Sequence, residues 1–330
     1  MKPTIAITIG DINGIGPEIA IKALSEFNLS LSTPVLLAPV SVLNYYKSTL
    51  STKFTFTEVN ELKDIRSGTI NVLDTQKQKV ELIPGSITKD SGLVAMKAIE
   101  MAIKLSSNGT VDAMVTLPIS KEAVNLAGYK IPGHTEFLAE KTDTESVLMI
   151  LVNDSLRVAL TTGHIPVSKV SSTITSEIIH EKANILHSSL RNDFRISNPR
   201  IAVLGLNPHA GDGGVIGTEE IDIIIPSIKK LRSENIDVSG PFPADGFFGQ
   251  KLHLKYDAIL AMYHDQGLAP FKLMSFGKGV NFTAGLPIIR TSPDHGTAFD
   301  IAGKGIADPS SFIEAYKLAV ELAQRKKTNE

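Results

Sequence analysis

The fold class is decided by residues 4–18, which read TIAITIGDINGIGPE. Thr4–Ile9 is a short apolar and threonine run typical of a first strand. Pro17 suits the first turn of a helix, where its missing N–H group is harmless. The stretch is not the dinucleotide fingerprint G-x-G-x-x-G, because Ile19 stands where the third glycine belongs. It therefore predicts a tight strand-to-helix turn, without naming a ligand.

Apolar runs rich in valine and isoleucine alternate with segments of helical period along the rest of the chain. The predicted strands span 4–9, 34–37, 113–116, 146–152, 157–161, 200–206 and 258–262. The predicted helices span 17–24, 91–105, 176–190, 219–234 and 311–325. Such alternation indicates the α/β class, with a sheet covered by helices on both sides.

The composition is that of an ordinary globular protein. The chain has 330 residues, 42% hydrophobic and 21% charged, with a formal net charge of -2, and length suggests about two domains. Near-neutral charge predicts neither a nucleic-acid partner nor a membrane partner. The first strand is too short for a secretory signal and no apolar run is long enough for a membrane span, so we expect the cytoplasm.

Histidine carries the sharper chemical signal, because the chain contains no cysteine and any metal must use His and carboxylate ligands. His164, His209 and His264 each come just after a predicted strand. Open α/β sheets bind ligands at the carboxyl ends of their strands. The three are far apart in sequence, so no local metal motif supports them, and each alone could be a hydrogen-bonded loop residue. Together they favour a divalent metal such as Zn²⁺ or Co²⁺, with positions left open for a substrate.

Other polar residues suit an anionic substrate. His134 and Thr135 begin a predicted helix that Thr135 can cap, and exposed N–H groups at a helix start bind phosphate or carboxylate. Lys272, Asn281 and Arg290 lie in or beside a mostly small and apolar region. Lysine and arginine bind phosphate well, although each residue alone could be an ordinary surface group.

Two further histidine contexts differ from these. Residues 294–309, DHGTAFDIAGKGIADP, form a loop whose many small residues permit close contact with a flat ligand such as a nucleotide base, or simply mobility. His253, in the alternating run Lys251–Lys255, is predicted to lie on a surface strand.

Four segments together resemble the 4-hydroxythreonine-4-phosphate dehydrogenase family of the vitamin B6 pathway. They are Gly10–Glu18, Gly133–Glu136, Met262-Tyr263-His264-Asp265-Gln266-Gly267 and Asp294–Pro309. The first and last also resemble the isocitrate and isopropylmalate dehydrogenases, which bind a dinucleotide without the Rossmann fingerprint.

The resemblance implies a two-domain α/β/α subunit of the isocitrate/isopropylmalate dehydrogenase type, with the active-site cleft between the domains. The implied first domain is discontinuous, approximately 1–125 plus 282–330. The second, approximately 126–281, would carry the interface of a homodimer whose subunits share active sites.

The same resemblance implies residue roles. His164, His209 and His264 would ligate one divalent ion per site (Zn, Mg or Co), with ligands from both subunits. The substrate-binding set would be His134, Thr135, Lys272, Asn281 and Arg290. The cofactor, NAD or NADP, would lie near His295, Gly296 and Asp300.

The implied reaction is oxidation of 4-phosphonooxy-L-threonine at C3, followed by decarboxylation to 3-amino-2-oxopropyl phosphate. A metal on the C3 oxygen would lower its pKa and stabilise developing negative charge. Lys272, Asp245 and Asp265 are candidates to take the hydroxyl proton, and Asp265 could equally be a helix cap.

Two alternatives stay open from sequence. A related dehydrogenase of 4-phospho-D-threonate or D-erythronate 4-phosphate would share the metal and cofactor chemistry. A metal-dependent phosphoesterase or a sugar-phosphate-binding module is more distant: the first usually wants paired carboxylate-rich metal sites, and a periplasmic module wants a signal peptide.

Overall fold

The computed structural model describes residues 2–76, 80–131 and 133–327. Contacts between Cα atoms divide the chain into unit 1, Met1–Glu145 with Leu286–Glu330, and unit 2, Ser146–Gly285. Both units combine strands and helices, which confirms the α/β class. Helix His134–Lys141 lies in unit 1, although the sequence-based boundaries assign it to the second domain.

Unit 1 is built on a parallel sheet. Its strands are β1 Thr4–Thr8, β2 Thr33–Leu37, β3 Thr57–Val59, β4 Asn71–Leu73, β5 Ala113–Thr116 and β12 Arg290–Pro293, in the order β3-β4-β2-β1-β5-β12. Its helices are α1 Gly16–Glu26, α2 Val40–Thr49, α3 Lys89–Ser107, α4 Lys121–Leu126, α5 His134–Lys141 and α11 Ser310–Lys327.

The core of unit 1 lies between its sheet and the helices that follow the strands. Met114 of β5 packs with Met96 and Ile99 of α3 and with Phe137 of α5, all at most 3% exposed. Burial of such side chains is the main driving force for the unit. Strand β5 and helices α3 and α5 therefore share one core.

Unit 2 has a mixed sheet. Its strands are β6 Leu148–Val152, β7 Arg157–Leu160, β8 Ile201–Leu204, β9 Val238–Phe242, β10 Ala258–Ala261 and β11 Val280–Ala284. Their order is β11-β6-β7-β10-β8-β9, where β6 runs antiparallel to both neighbours and the last four strands are parallel. The helices are α6 Val167–Thr173, α7 Ser176–Asn192, α8 Ile225–Ser233, α9 Ala244–Gly249 and α10 His264–Ser275.

Two segments differ from expectation. The predicted helix 219–234 is a π-helical turn, Glu220–Ile224, followed by α8, which has Pro226 in its first turn. Residues Leu252–Lys255 form a 3₁₀ turn that buries His253, so the surface-strand prediction is wrong. Within the described ranges, no helix is long and apolar enough to span a bilayer.

Candidate active site

Three adjacent parallel strands of unit 2 end at the histidines that the sequence singles out. Strand β10 pairs with β7 on one side and β8 on the other. His164 follows β7, His264 begins α10 directly after β10, and His209 follows β8. The carboxyl ends of neighbouring parallel strands meet at one edge of a sheet, so all three residues belong to the same edge of unit 2. We call this the histidine edge.

His164 and His264 lie close together at this edge. Their ring centroids are 5.4 Å apart, and both rings line a cavity of about 220 Å³ with Tyr263 and Asp265. Asp265 Oδ1 lies 2.7 Å from His264 Nδ1. A carboxylate that accepts a hydrogen bond from Nδ1–H fixes the ring tautomer and leaves the lone pair of Nε2 available to bind a ligand.

His209 is not brought into a cluster with the other two. It is exposed, and it lies in the turn Pro208–Gly214 with a left-handed backbone, φ 53°. Among residues 2–76, 80–131 and 133–327, no group of three His, Cys, Asp or Glu side chains could hold a metal ion. The three-histidine site therefore stays a prediction.

Unit 1 contains a buried cationic group, Arg290, with Thr116 and His134 around it, and we call this cluster the Arg290 pocket. Arg290 is 2% exposed, and its Nε and Nη2 donate to Thr116 Oγ1 at 3.0 and 2.7 Å. Burial lowers its pKa to about 10, so the guanidinium stays charged at neutral pH. A buried guanidinium is well suited to bind a phosphate or carboxylate group.

His134 shares the electrostatics of this pocket. Burial, and then the charge of Arg290, lower the His134 pKa to about 3, so the imidazole is neutral at physiological pH. Its Nε2 is buried, and it has no hydrogen-bond partner among the described residues. Gly133, not Thr135, is the N-cap of α5, so the capping prediction is wrong: His134 and Thr135 are its first helical residues. An orphaned imidazole nitrogen beside a buried cation marks a place for a polar ligand.

The remaining predicted substrate and proton-transfer residues belong to unit 2. Asn281 lies in β11, with its Oδ1 buried and without a hydrogen-bond partner. Lys272 on α10 and Asp245 on α9 are exposed. Asp265 lies in the first turn of α10, but Tyr263 is the N-cap and makes no side-chain cap bond, so the helix-cap alternative is wrong.

Two side chains of helix α1 hold the small-residue loop 294–309 in place. Glu18 is fully buried and accepts the N–H groups of Gly305 and Ala307 at 3.2 and 2.8 Å. Lys22 Nζ donates to Glu18 Oε1 and to the carbonyl oxygens of Gly305 and Ala307, all within 2.9 Å. These hydrogen bonds, which we call the clamp, fix the backbone on both sides of Ile306.

The predicted cofactor residues lie on that loop. His295 Nδ1 is 3.0 Å from the Gly296 carbonyl oxygen, and its Nε2 is buried without a hydrogen-bond partner. Gly296 and Asp300 are exposed. Their role in binding a dinucleotide stays a prediction.

The opening motif has a structural explanation. Gly10 has φ +71°, and a Cβ there would lie 2.4 Å from the Pro118 carbonyl oxygen. Asp11 is buried, which raises its pKa, and accepts from the Asn13 N–H and the Ser91 hydroxyl. The turn is thereby tied to the start of α3.

Sequence reasoning missed the two buried glutamates that hold loops, Glu18 and Glu220. Glu18 had a detectable signal, because Lys22 stands four residues later on the same helix face. Glu220 accepts the N–H groups of Leu206 and Asn207, and nothing in its local sequence marks it.

Together these features define a class: an α/β enzyme that acts on a small anionic molecule and has imidazoles available at a sheet edge. The family model described as "Pyridoxal phosphate biosynthetic protein PdxA" matches residues 30–319, and the chain belongs to this family.

Relatives of known name cover nearly the whole chain. A Bacteroides thetaiotaomicron protein named 4-hydroxythreonine-4-phosphate dehydrogenase is 44% identical over 327 residues, which are 98% of this chain and 90% of that protein. An Oceanobacillus iheyensis protein with the provisional name D-threonate 4-phosphate dehydrogenase is 42% identical, with 98% and 99% covered. The crystal structure of 4-hydroxythreonine-4-phosphate dehydrogenase from Klebsiella pneumoniae matches with a TM-score of 0.89 at 39% identity, covering 98% of this chain and 99% of that one.

Proposed function

We propose that this chain oxidises 4-phosphonooxy-L-threonine at C3 with NAD or NADP, and that decarboxylation then gives 3-amino-2-oxopropyl phosphate for pyridoxine phosphate synthesis. The observation that carries the proposal is the 44% identity, over 98% of the chain, to a relative named for this dehydrogenase activity. The buried pocket of unit 1 supports it, because the substrate carries a phosphate.

Arg290 and the start of α5 bind the phosphorylated substrate in this proposal. The Arg290 guanidinium supplies a fixed positive charge in a water-poor pocket, where electrostatic attraction is strong. Neutral His134 offers Nε2 for a hydrogen bond, and Thr135 offers a hydroxyl group. We assign Lys272 and Asn281 to the same substrate, and the unpartnered Oδ1 of Asn281 is an acceptor for its polar groups.

His164, His209 and His264 are the residues that would hold a divalent cation (Zn, Mg or Co). Imidazole nitrogens suit Zn²⁺ and Co²⁺, and Asp265 orients the His264 ring so that Nε2 is available. When bound, the cation supplies positive charge that favours loss of the C3 hydroxyl proton and of carbon dioxide, while the nicotinamide accepts the hydride. His295, Gly296 and Asp300 would contact the cofactor.

The proton leaving the C3 hydroxyl needs an acceptor on the protein. Asp265 is already engaged with His264 Nδ1, so we assign it a positioning role. Lys272 and Asp245 are then the candidates for proton transfer, and both are exposed on helices of unit 2. The ketone formed is β to the carboxylate, so breaking the bond to that carboxylate places its electron pair on the ketone oxygen before C2 is protonated.

We further propose a homodimer. Large apolar side chains of unit 2 are exposed close in sequence to the predicted ligands: Val167 is 77% exposed and also lines the His164–His264 cavity, and Val215 is 84% exposed. A second subunit covering this surface would bury them and could supply the missing metal ligand. Mixing inactive His209→Ala and His264→Ala chains should restore part of the activity if His209 comes from the other subunit, because one site of the mixed dimer then has all three histidines.

We place the reaction in the cytoplasm, the compartment in which charged dinucleotides and phosphorylated amino acids are held. Such ions do not cross an apolar bilayer unaided, because removing their charges from water is costly.

The test is NADH formation with 4-phosphonooxy-L-threonine, 4-phospho-D-threonate and D-erythronate 4-phosphate, each with and without a chelator. Strong, chelator-sensitive turnover of the amino acid alone is the expected result. No turnover with any of the three, using NAD or NADP, would refute the dehydrogenase assignment.

A second candidate is oxidation of the sugar acid 4-phospho-D-threonate. The Oceanobacillus iheyensis relative, 42% identical over 330 residues, favours it. Turnover of the sugar acids alone would keep the chemistry and change the substrate.

A further inference from the structure

We propose that Glu220 is a positioning residue for the loop that carries His209, and that divalent-cation binding at the histidine edge depends on its carboxylate. The proposal rests on the metal site described under the proposed function. It adds a residue outside the set predicted to touch metal, substrate or cofactor.

Glu220 is buried beside the loop that carries His209, and its carboxylate accepts hydrogen bonds from the first residues of that loop. The side chain is 1% exposed, and Oε1 accepts the backbone N–H groups of Leu206 and Asn207, both at 2.7 Å. Oε2 accepts from Asn207 Nδ2 at 2.9 Å. Bonds from N–H donors to a buried carboxylate are short and strong. Asn207, two residues before His209, is therefore held by one carboxylate through both its backbone N–H and its side-chain amide.

The loop needs such support because its backbone is unfavourable. His209, Ala210 and Asp212 have φ values of 53°, 52° and 45°, in the left-handed region that residues with a Cβ avoid. Gly211, at φ +82°, lies so near that a Cβ there would be 2.7 Å from Glu220 Oε2. Consecutive left-handed residues persist only where their surroundings fix them, and here the surroundings include this carboxylate.

Glu220 is also the first residue of the π-helical turn Glu220–Ile224 that precedes α8. Single π-helical turns are rare and occur often at functional sites. The turn places Glu220 inside the unit, while its neighbour Glu219 accepts from Asn207 Nδ2 at 2.7 Å. Two carboxylates therefore share one amide group.

The same loop is linked to the other two histidines. Gln266 Nε2 donates to the Gly205 carbonyl oxygen at 2.6 Å, and Gln266 Oε1 accepts the Met262 N–H at 2.7 Å. Thr162, two residues before His164, donates its hydroxyl to the Met262 carbonyl oxygen at 2.7 Å. Hydrogen bonds thus connect the ends of β7, β10 and β8, and Glu220 anchors the last of these.

The test measures Co²⁺ binding to the full-length chain by titration calorimetry and by the visible absorption of bound Co²⁺. Glu220→Gln keeps the size of the side chain and an oxygen for the two backbone N–H groups, but turns an N–H₂ group toward Asn207 Nδ2. We expect Co²⁺ to bind about 10- to 100-fold more weakly, the range seen when groups supporting metal ligands are changed. Amide hydrogen exchange at Leu206 and Asn207 should speed up in the metal-free variant.

Ile224→Val is the matched control, because Ile224 is fully buried in the same π-helical turn and bonds to no loop residue through its side chain. It should lower the melting temperature of the metal-free protein without changing the Co²⁺ affinity. Equal affinity losses in the two variants would mean that general destabilisation is the cause and would overturn the proposal.

Two other outcomes separate this proposal from the proposed function. If wild type binds Co²⁺, His264→Ala does not, and Glu220→Gln binds as tightly as wild type, only the positioning role is refuted. If wild type binds no Co²⁺, the histidine metal site is refuted and the positioning role with it.

Discussion

The candidate site residues of the two units differ in how far they are exposed to solvent. In unit 1 the pocket is buried before any ligand arrives: Arg290 is 2% exposed, and His134 Nε2 is shielded from solvent. In unit 2 His164 and His209 are exposed, and the His264 side chain is 36% exposed. Unit 1 carries the cost of desolvation within its own fold, whereas the imidazoles at the histidine edge of unit 2 remain open to solvent.

The comparison extends to how loops are held. Glu18 in unit 1 and Glu220 in unit 2 are both buried and both accept two backbone N–H groups of a loop. Glu18 also has an ion partner, Lys22, whereas Glu220 bonds to the neutral amide of Asn207. Both units therefore use a buried carboxylate to hold a loop. In unit 1 this carboxylate also forms a salt bridge, whereas in unit 2 it bonds to a neutral side-chain amide.

The largest effect should come from His264→Ala at the exposed edge. We expect turnover to fall about 10³-fold or more, because the proposed cation would contribute several kcal/mol to stabilising the transition state. The fold should be retained, since the side chain is partly exposed and packs in an open cavity. NADH formation and circular dichroism check this, and an active variant would remove His264 from the metal site.

Arg290→Lys tests the buried pocket. A lysine keeps the charge but loses the planar fork that donates to Thr116. We expect kcat/KM for the phosphorylated substrate to fall about 10²-fold, the scale of losing one preorganised donor. Thr116→Val, which removes the acceptor and keeps Arg290, is the control and should lose less. Unchanged kcat/KM in Arg290→Lys would place the phosphate elsewhere.

Glu18→Ala tests the clamp of unit 1. It leaves the N–H groups of Gly305 and Ala307 without their acceptor, so the free energy of unfolding should fall by about 2 kcal/mol. Lys22→Met should cost about 1 kcal/mol, because Glu18 keeps both backbone donors and Lys22 is partly exposed. Urea unfolding measures both, and a rise in the KM for NAD in Glu18→Ala would link the loop to the cofactor. Equal losses of unfolding free energy in the two variants would show that the ion pair accounts for all of the stabilisation by the clamp.

The smallest effect is a pH dependence from His134. Burial and Arg290 lower its pKa in the folded protein to about 3, from an ordinary value of 6.5. Between these values the unfolded chain binds a proton that the folded one does not, so this stability is present above pH 6.5 and is lost as pH falls. From pH 6 to pH 5 the loss should be about 1 kcal/mol.

His134→Gln removes that dependence, so the difference in unfolding free energy between wild type and variant should shrink by this amount from pH 6 to pH 5. Buried Asp11, whose raised pKa acts in the opposite direction, is present in both proteins and cancels. A difference independent of pH would mean that His134 is protonated in the folded state.

Regular elements with clear periodicity were predictable from the sequence. The helix predicted over 176–190 is α7, Ser176–Asn192, and the strand predicted over 113–116 is confirmed as β5. Strand β12, Arg290–Pro293, has no apolar pattern, because it buries an arginine, a threonine and a serine, and the first two donate to Thr116 and to the Ala315 carbonyl oxygen. Strands β3 and β4 have three residues each, too few for a period to be visible.

The strand prediction was wrong where charged and apolar residues alternate outside a strand. Lys251–Lys255 alternates like a strand, but Lys251 adopts φ 55° and starts a tight turn, and His253 is buried beside Phe248. For the candidate site, the predicted ends of the strands were enough to assign the three histidines to one edge of the unit 2 sheet. Buried Glu220 could not be predicted, because a carboxylate that binds the backbone of Leu206 and Asn207 leaves no local spacing signal, whereas Glu18 could have been found from Lys22 four residues later.

The insertion of unit 2 within unit 1 has a consequence for synthesis on the ribosome. Strand β5 is made early, but its partner β12 and the helix α11 that packs on both come only after the whole of unit 2. The growing chain therefore carries an unfinished sheet edge while residues 146–285 emerge and fold as a continuous segment. Arg290 reaches Thr116 only after this delay, so this buried hydrogen bond is among the last parts of the newborn chain to be assembled.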